Sequence, residues 1–141
     1  MATAHMQIGE VAERTGLSLR TIRYYGEVGL VEPSARSRGG FRLYTDADVE
    51  RLLLVKRMKP LDFSLEDMRD LLATLDRLAG HEAAPRERDE LLSRLRMFEE
   101  ATAARCSALR EELAAAEAFG ERLRSERITI TTHVGKEKKP R

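Results

Sequence analysis

Aromatic residues are scarce: three Tyr, four Phe and no Trp in 141 residues. That supply is too small for an all-β sandwich or one large core. The single cysteine, Cys106, excludes an intrachain disulfide framework and any metal or iron–sulfur site held by several thiolates of one chain. His5, His81 and His133 lie far apart and make no ligand spacing. No apolar run approaches the roughly 18–20 residues that span a bilayer, so a soluble chain with no membrane partner is expected. Met1 to Met6 has neither the basic nor the apolar region of a secretory leader. The expected compartment is therefore the cytoplasm, and Met1 to His5 is set outside the fold. With no nucleophile–base pair, phosphate-cradling loop or metal box, neither catalysis nor a cofactor or metal is expected.

What is abundant is helix-forming. Ala, Leu, Glu, Arg and Lys supply 78 of the 141 residues, a share typical of helices and coiled coils. The net charge of +1 hides an asymmetry. Residues 1–60 carry 10 Lys/Arg against 7 Asp/Glu, and residues 61–141 carry 15 against 17. Within residues 18–44, five arginines (Arg20, Arg23, Arg36, Arg38, Arg42) face only Glu27 and Glu32. A basic segment of this kind is the footprint of phosphate binding, although a charge run alone is more often a solvated face.

The first helix is expected from Glu10 to Thr15, with Ile8, Val11 and Ala12 apolar, and Gly16 as a left-handed stop. Ser18 is placed to cap a second helix over about Leu19 to Val28. Two short helices joined by a Gly-containing turn read as a helix-turn-helix, with Leu19, Ile22 and Val28 inward. From Pro33 to Tyr44 the helical period breaks. The Gly39-Gly40 pair followed by alternating Phe41-Arg42-Leu43-Tyr44 reads as a β-hairpin wing. Thr45 with Asp48, and Ser64 with Asp67, are capping boxes opening a third and a fourth helix. Pro60 ends the third helix and Gly80 the fourth. Lys56 and Lys59 are read as solvated, with phosphate contact the lesser alternative.

Beyond a linker, residues 86–124 hold no Pro and one Gly. Leu95, Thr102, Leu109, Ala116 and Leu123 recur every seven residues, with Leu91, Phe98 and Phe119 at the complementary position and Arg105 and Glu112 interrupting it. A stripe this narrow on a long helix requires a partner helix. Leu91, Leu95, Phe98, Thr102, Leu109, Ala116, Phe119 and Leu123 are thus the candidate dimerisation residues. Ile128-Thr129-Ile130-Thr131 alternates like a strand, and Lys136 to Arg141 reads as disordered. A lone Cys106 on a helix is read as a small packing residue, with a thiol switch as the rival.

Four motifs in this order, Ile8-Gly9-Glu10-Val11-Ala12, Thr21-Ile22-Arg23-Tyr24-Tyr25, Gly29-Leu30-Val31 and Arg38-Gly39-Gly40-Phe41-Arg42-Leu43-Tyr44, resemble the MerR family of bacterial transcription regulators. The resemblance implies a mainly α fold: a winged helix-turn-helix head with a small β-hairpin wing, two further helices, and a long C-terminal antiparallel coiled-coil dimerisation helix. The head would span residues 6–75, with the helix-turn-helix about 9–28 and the wing about 33–44. A linker over 76–85, the long helix over 86–124 and a short, partly disordered tail over 125–141 would follow. Gly26 stands where the family usually has an acidic residue, and Asp62 where Gly is usual.

The resemblance implies a homodimer on double-stranded promoter DNA. It would bind a pseudo-palindromic operator and distort the spacer so that RNA polymerase engages both promoter elements. The candidate DNA contacts are Ser18, Arg20, Thr21, Arg23, Tyr24 and Tyr25 in the second helix, and Arg38, Gly39, Gly40, Arg42 and Tyr44 in the wing. Tyr25 has two readings, packing and DNA contact, while Phe41 and Tyr44 also read as packing residues holding the wing to the head. The paired cysteines of metal-sensing relatives are absent, so a small-molecule effector is left without an identity. Its place would be between Met68 to Leu78 and the start of the partner's long helix. The rival functions are an architectural DNA-binding protein without an effector, an excisionase-like bending factor, and a coiled-coil adaptor with a vestigial head.

Overall fold

The computed structural model describes residues 4–137. These divide into two compact units between Phe98 and Glu99. The head begins with a strand, β1 (Met6–Gln7), which runs directly into α1 (Ile8–Thr15). Helix α2 spans Leu19–Glu27. The wing strands are β2 (Ala35–Arg36) and β3 (Arg42–Tyr44). Helix α3 (Asp46–Met58) leads through a 3-10 turn (Lys59–Leu61) to α4 (Leu65–Ala79). The last element is α5 (Pro85–Glu137).

Each boundary has a local cause. Gly16 takes φ 73° and its N–H donates to the Ala12 carbonyl at 2.9 Å, ending α1. Thr15 ties the turn: its hydroxyl donates to the Val11 carbonyl and accepts from the Leu17 N–H. Ser18 Oγ accepts from the Thr21 N–H at 3.1 Å, capping α2. Both capping boxes form, Thr45 with Asp48 and Ser64 with Asp67. Pro60 sits in the 3-10 turn, and Asp62 closes it at φ 65°. Asp tolerates that left-handed conformation better than most side chains, so the absence of Gly there leaves the turn intact. At Gly26 an added Cβ would meet Val31 and Pro33 atoms only at ordinary contact distances, 3.7–3.8 Å. The glycine answers to no crowding.

The sheet has three strands in the order β1-β3-β2, both pairings antiparallel. A two-residue strand before the first helix carries no periodicity, so β1 was not legible as a strand. Met6 pairs with Tyr44 and Gln7 with Leu43, tying the wing to the start of the helix-turn-helix. Below the sheet, Val11, Ile22, Tyr25, Leu52 and Val55 form the centre of the core, with Met68, Leu71 and Leu72 from α4. Leu19, expected inside, is 40 % exposed.

Helix α4 ends at Ala79 with Gly80 as its C-cap, where the fourth helix was expected to close, so only residues 80–84 lie between α4 and α5. Helix α5 does not stop at 124 but runs to Glu137. Ile128 to Thr131 is therefore helical: four alternating residues without a turn do not outweigh propagation of an established helix. Lys136 and Glu137, expected in a disordered tail, end α5, and residues 138–141 lie outside the described residues. Finally, Leu95 and Phe98 pack against the head's core, and the Phe98 ring lies 6.0 Å from that of Phe63. Both are engaged, half-buried, within one chain, a contact that the heptad line did not anticipate.

The Asp48 and Asp67 caps differ in burial, and this is testable. Asp48 is buried and also accepts from Ser34, so Asp48→Ala should cost about 2 kcal/mol in urea unfolding. Asp67→Ala removes an exposed cap and should cost less.

Candidate nucleic-acid interface

Helix α2 buries Ile22 and Tyr25 and presents Arg20, Arg23 and Tyr24 to solvent, with Thr21 half-buried. This division follows from helical spacing, since inward residues three apart leave their neighbours outward. The wing adds Arg36 and Arg42 directly across from each other in the β2–β3 register. Its tip is a tight loop. Ser37 N–H donates to the Phe41 carbonyl and Gly40 N–H to the Ser37 carbonyl, both at 2.9 Å. Arg36 Nη1 donates to the Gly40 carbonyl at 3.0 Å. Gly40 holds φ 81°, and a Cβ on Gly39 would press to 3.1 Å from the Phe41 ring. The tip backbone thus needs glycine at 40, while a side chain at 39 would ask only a small shift of the exposed Phe41 ring.

These elements meet. One shallow cleft of about 110 Å³ is lined by Gln7, Ile8, Arg23, Gly40, Phe41 and Arg42, joining α2 to the wing tip. A larger groove of about 450 Å³ brings Arg20, Thr21 and Tyr24 together with Lys59, Phe63 and Leu65. Among the described residues no carboxylate forms an ion pair with Arg20, Arg23, Arg36, Arg38 or Arg42. Elsewhere in the head Arg14 pairs with Glu10 and Asp46, Arg51 with Asp76, and Arg77 with Glu87. Like charges directly opposite on a hairpin are destabilising; here Glu27 and Glu32 line the same cleft of about 330 Å³ as Arg36 and Arg42, and offset part of that repulsion without forming an ion pair.

Two of the expected DNA contacts lie inside the head. Tyr25 is 4 % exposed and Tyr44 is fully buried; both rings belong to the core. Burial pushes both phenols above their ordinary value, with nearby Tyr24 adding to the effect at Tyr25. Tyr44 Oη is buried without a hydrogen-bond partner. Phe41, expected to pack, is instead 63 % exposed. Ser18 is exposed, with its hydroxyl engaged by Thr21.

The structure also separates the two lysines. Lys56 Nζ donates to the Thr15 carbonyl at 2.7 Å and so caps the C-terminus of α1. Lys59 instead lines the groove beside Arg20. Arg36 was visible in the charge count, but its place opposite Arg42 required the strand register. Among the described residues no group of three or more His, Cys, Asp or Glu is arranged to hold a metal ion, and no helix is long and apolar enough to cross a membrane.

Residues 6–75 match the family model described as "MerR HTH family regulatory protein". The transcriptional regulator HmrR of Rhizobium leguminosarum bv. viciae is 47 % identical over 68 residues, 48 % of this chain and 52 % of that protein. The chain spans about half the length of the curated relatives it matches. Among solved structures, the transcription regulator PbrR691 from Ralstonia metallidurans CH34, in complex with lead(II), is 32 % identical with a TM-score of 0.50. The match covers 77 % of this chain and 82 % of that one. HiNmlR, a MerR family regulator lacking the sensor domain and bound to promoter DNA, shares the fold at 21 % identity and a TM-score of 0.62, covering 94 % of each chain.

The burial of Tyr44 makes a prediction opposite to that of a ligand contact. Tyr44→Phe deletes an unsatisfied buried hydroxyl and should stabilise the free protein by about 1 kcal/mol. Thermal unfolding checks this; a lower melting temperature would contradict the core assignment.

Proposed function

This chain belongs to the MerR HTH family of regulatory proteins, and on that premise we propose that it is a sequence-specific DNA-binding transcription regulator acting as a homodimer. The observation that carries the reading is the set of five arginines on α2 and the wing that form no ion pair with a carboxylate among the described residues, two of them facing each other across the hairpin. Such a surface is satisfied by a polyanion. Helix α2 enters the major groove, where base edges are distinguishable. Arg20, Thr21, Arg23 and Tyr24 approach bases and phosphates there. The wing places Arg38, Gly39, Gly40 and Arg42 on the sugar–phosphate backbone, where contacts position the protein more than they specify sequence. Arg36 supports the tip and adds charge, and Lys59 extends the basic surface beside Arg20. Ser18 acts through its cap, which fixes the first turn of α2.

The dimer is formed by α5. Leu109, Phe119 and Leu123 are 36–64 % exposed on it, and Thr102 and Ala116 keep the same heptad line. Leu91, half-buried at the start of α5, joins that seam. Two heads on one twofold axis read a pseudo-palindromic operator. Bending or untwisting the promoter between them costs energy that depends on its sequence, which gives the regulator its control over RNA polymerase. No catalytic step is assigned to the chain, and the metals of metal-dependent relatives are not carried over, because the family model matches residues 6–75 alone.

Selection of bound sites from random DNA should return an inverted repeat with fixed half-site spacing. An unordered, composition-driven pool would refute sequence-specific binding. On the selected operator, Arg42→Ala and Lys59→Ala should weaken binding to all sequences and lower the salt slope by about one unit each. Arg20→Ala should also relax base preference. Lys56→Ala should lower thermal stability and leave the salt slope unchanged.

A further inference from the structure

The groove of about 450 Å³ beside α2 is lined by two kinds of side chain. Arg20 of α2 and Lys59 of the 3-10 turn are exposed cations, and among the described residues neither forms an ion pair. The acidic residues nearest to Lys59 along the chain, Asp62 and Glu66, are not part of the lining. Most of the remaining wall is apolar. Phe63 and Leu65 are half-buried, Met68 is buried, and the Tyr24 ring is 45 % exposed. A DNA phosphate would use the two cations and leave the apolar wall wet. A body that covers Phe63 and Leu65 removes their surface from water, a gain that scales with its area. The volume falls within the roughly 300–1,000 Å³ of small-molecule sites, which combine an apolar lining with a few polar anchors.

We propose that this groove binds a small aromatic carboxylate. Arg20 and Lys59 donate charge-assisted hydrogen bonds to the carboxylate, and the ring lies against Phe63, Leu65 and Tyr24. Every residue involved lies between positions 20 and 68 of one head, so the site needs no residue of a partner. It therefore differs from the effector place expected between Met68 to Leu78 and a partner's long helix. Arg20 and Tyr24 stand on the face of α2 assigned above to DNA, and the consequence for regulation rests on that reading. One set of side chains cannot hold the carboxylate and the operator together. Ligand and operator exclude each other, and the apparent operator dissociation constant rises linearly with ligand concentration.

Calorimetric titration of the full chain with naphthoate and with indoleacetate, in the absence of DNA, tests the site by itself. At least one of these aromatic carboxylates should bind once per chain with a dissociation constant below about 1 mM. The uncharged amide of that probe should bind about tenfold more weakly, since hydrogen bonds to a charged group are lost. Inorganic phosphate at equal concentration should not displace it. Arg20→Gln and Lys59→Gln change exposed side chains, and thermal unfolding checks that both variants fold. Each should weaken the carboxylate about tenfold. Binding of neither probe, equal binding of the amide, or displacement by phosphate would overturn the proposal. So would binding indifferent to both substitutions, which would put the probe on another apolar surface such as α5. In fluorescence anisotropy, the carboxylate should then release the full chain from its selected operator. A chain that holds both at once would overturn the exclusion. A chain that binds the carboxylate in the groove and binds no DNA would overturn the DNA-binding reading and leave the site standing.

Discussion

The head depends on one buried carboxylate. Asp48 Oδ2 accepts from the Thr45 N–H at 2.9 Å and from Ser34 Oγ at 2.5 Å, while the Asp48 N–H donates to Thr45 Oγ1. A carboxylate can be buried when hydrogen bonds replace its water, and here both donors come from structure that must be positioned. Thr45 joins the end of β3 to the start of α3, and Ser34 leads into β2. One side chain therefore sets where the wing leaves the head and where the scaffold helix begins. From that start, Val49, Leu52, Val55 and Met58 follow at helical spacing into the core.

The scaffold helices then hold the helix-turn-helix from its carboxyl ends. Lys56 of α3 seats on the Thr15 carbonyl, and Arg69 of α4 donates to the Val28 carbonyl at 2.6 Å. Both cations lie where a helix exposes unpaired carbonyls and the negative end of its dipole. Gly16 serves this arrangement twice. Its φ of 73° makes the turn, and a Cβ there would stand 2.8 Å from Lys56 Nζ. Charges that build the head are thus consumed by backbone or carboxylate partners. The arginines of α2 and the wing are held out by the same scaffold, with the Arg36 contact to Gly40 shaping the tip. The separation of structural from available cations makes the surface usable for a polyanion without unfolding the frame beneath it.

The long helix follows a different logic. Its residues from Leu109 to Gly135 are exposed, although the sequence keeps apolar groups on a heptad line. In the proposed dimer, burial of that line falls to an interaction between chains.

The caps and turns were legible from sequence because each is decided within a few residues. Ser18, Thr45 and Ser64 reach an N–H three positions on, and Gly16 needs only its own φ. The resemblance of the motifs likewise led to the winged head, and the arginine-rich segment to the candidate surface. Tertiary structure alone decided which of two adjacent tyrosines lies inside, since Tyr24 and Tyr25 have similar chemistry and only packing assigns Tyr25 to the core. It decided between Lys56 and Lys59, because the Thr15 carbonyl is 41 residues from Lys56. It paired Met6 with Tyr44, set Arg36 against Arg42, and drew Leu95 and Phe98 onto the head. Sequence determined what short-range sterics and hydrogen bonds decide; the roles of chemically similar side chains waited on contacts between distant segments, which no local pattern encodes.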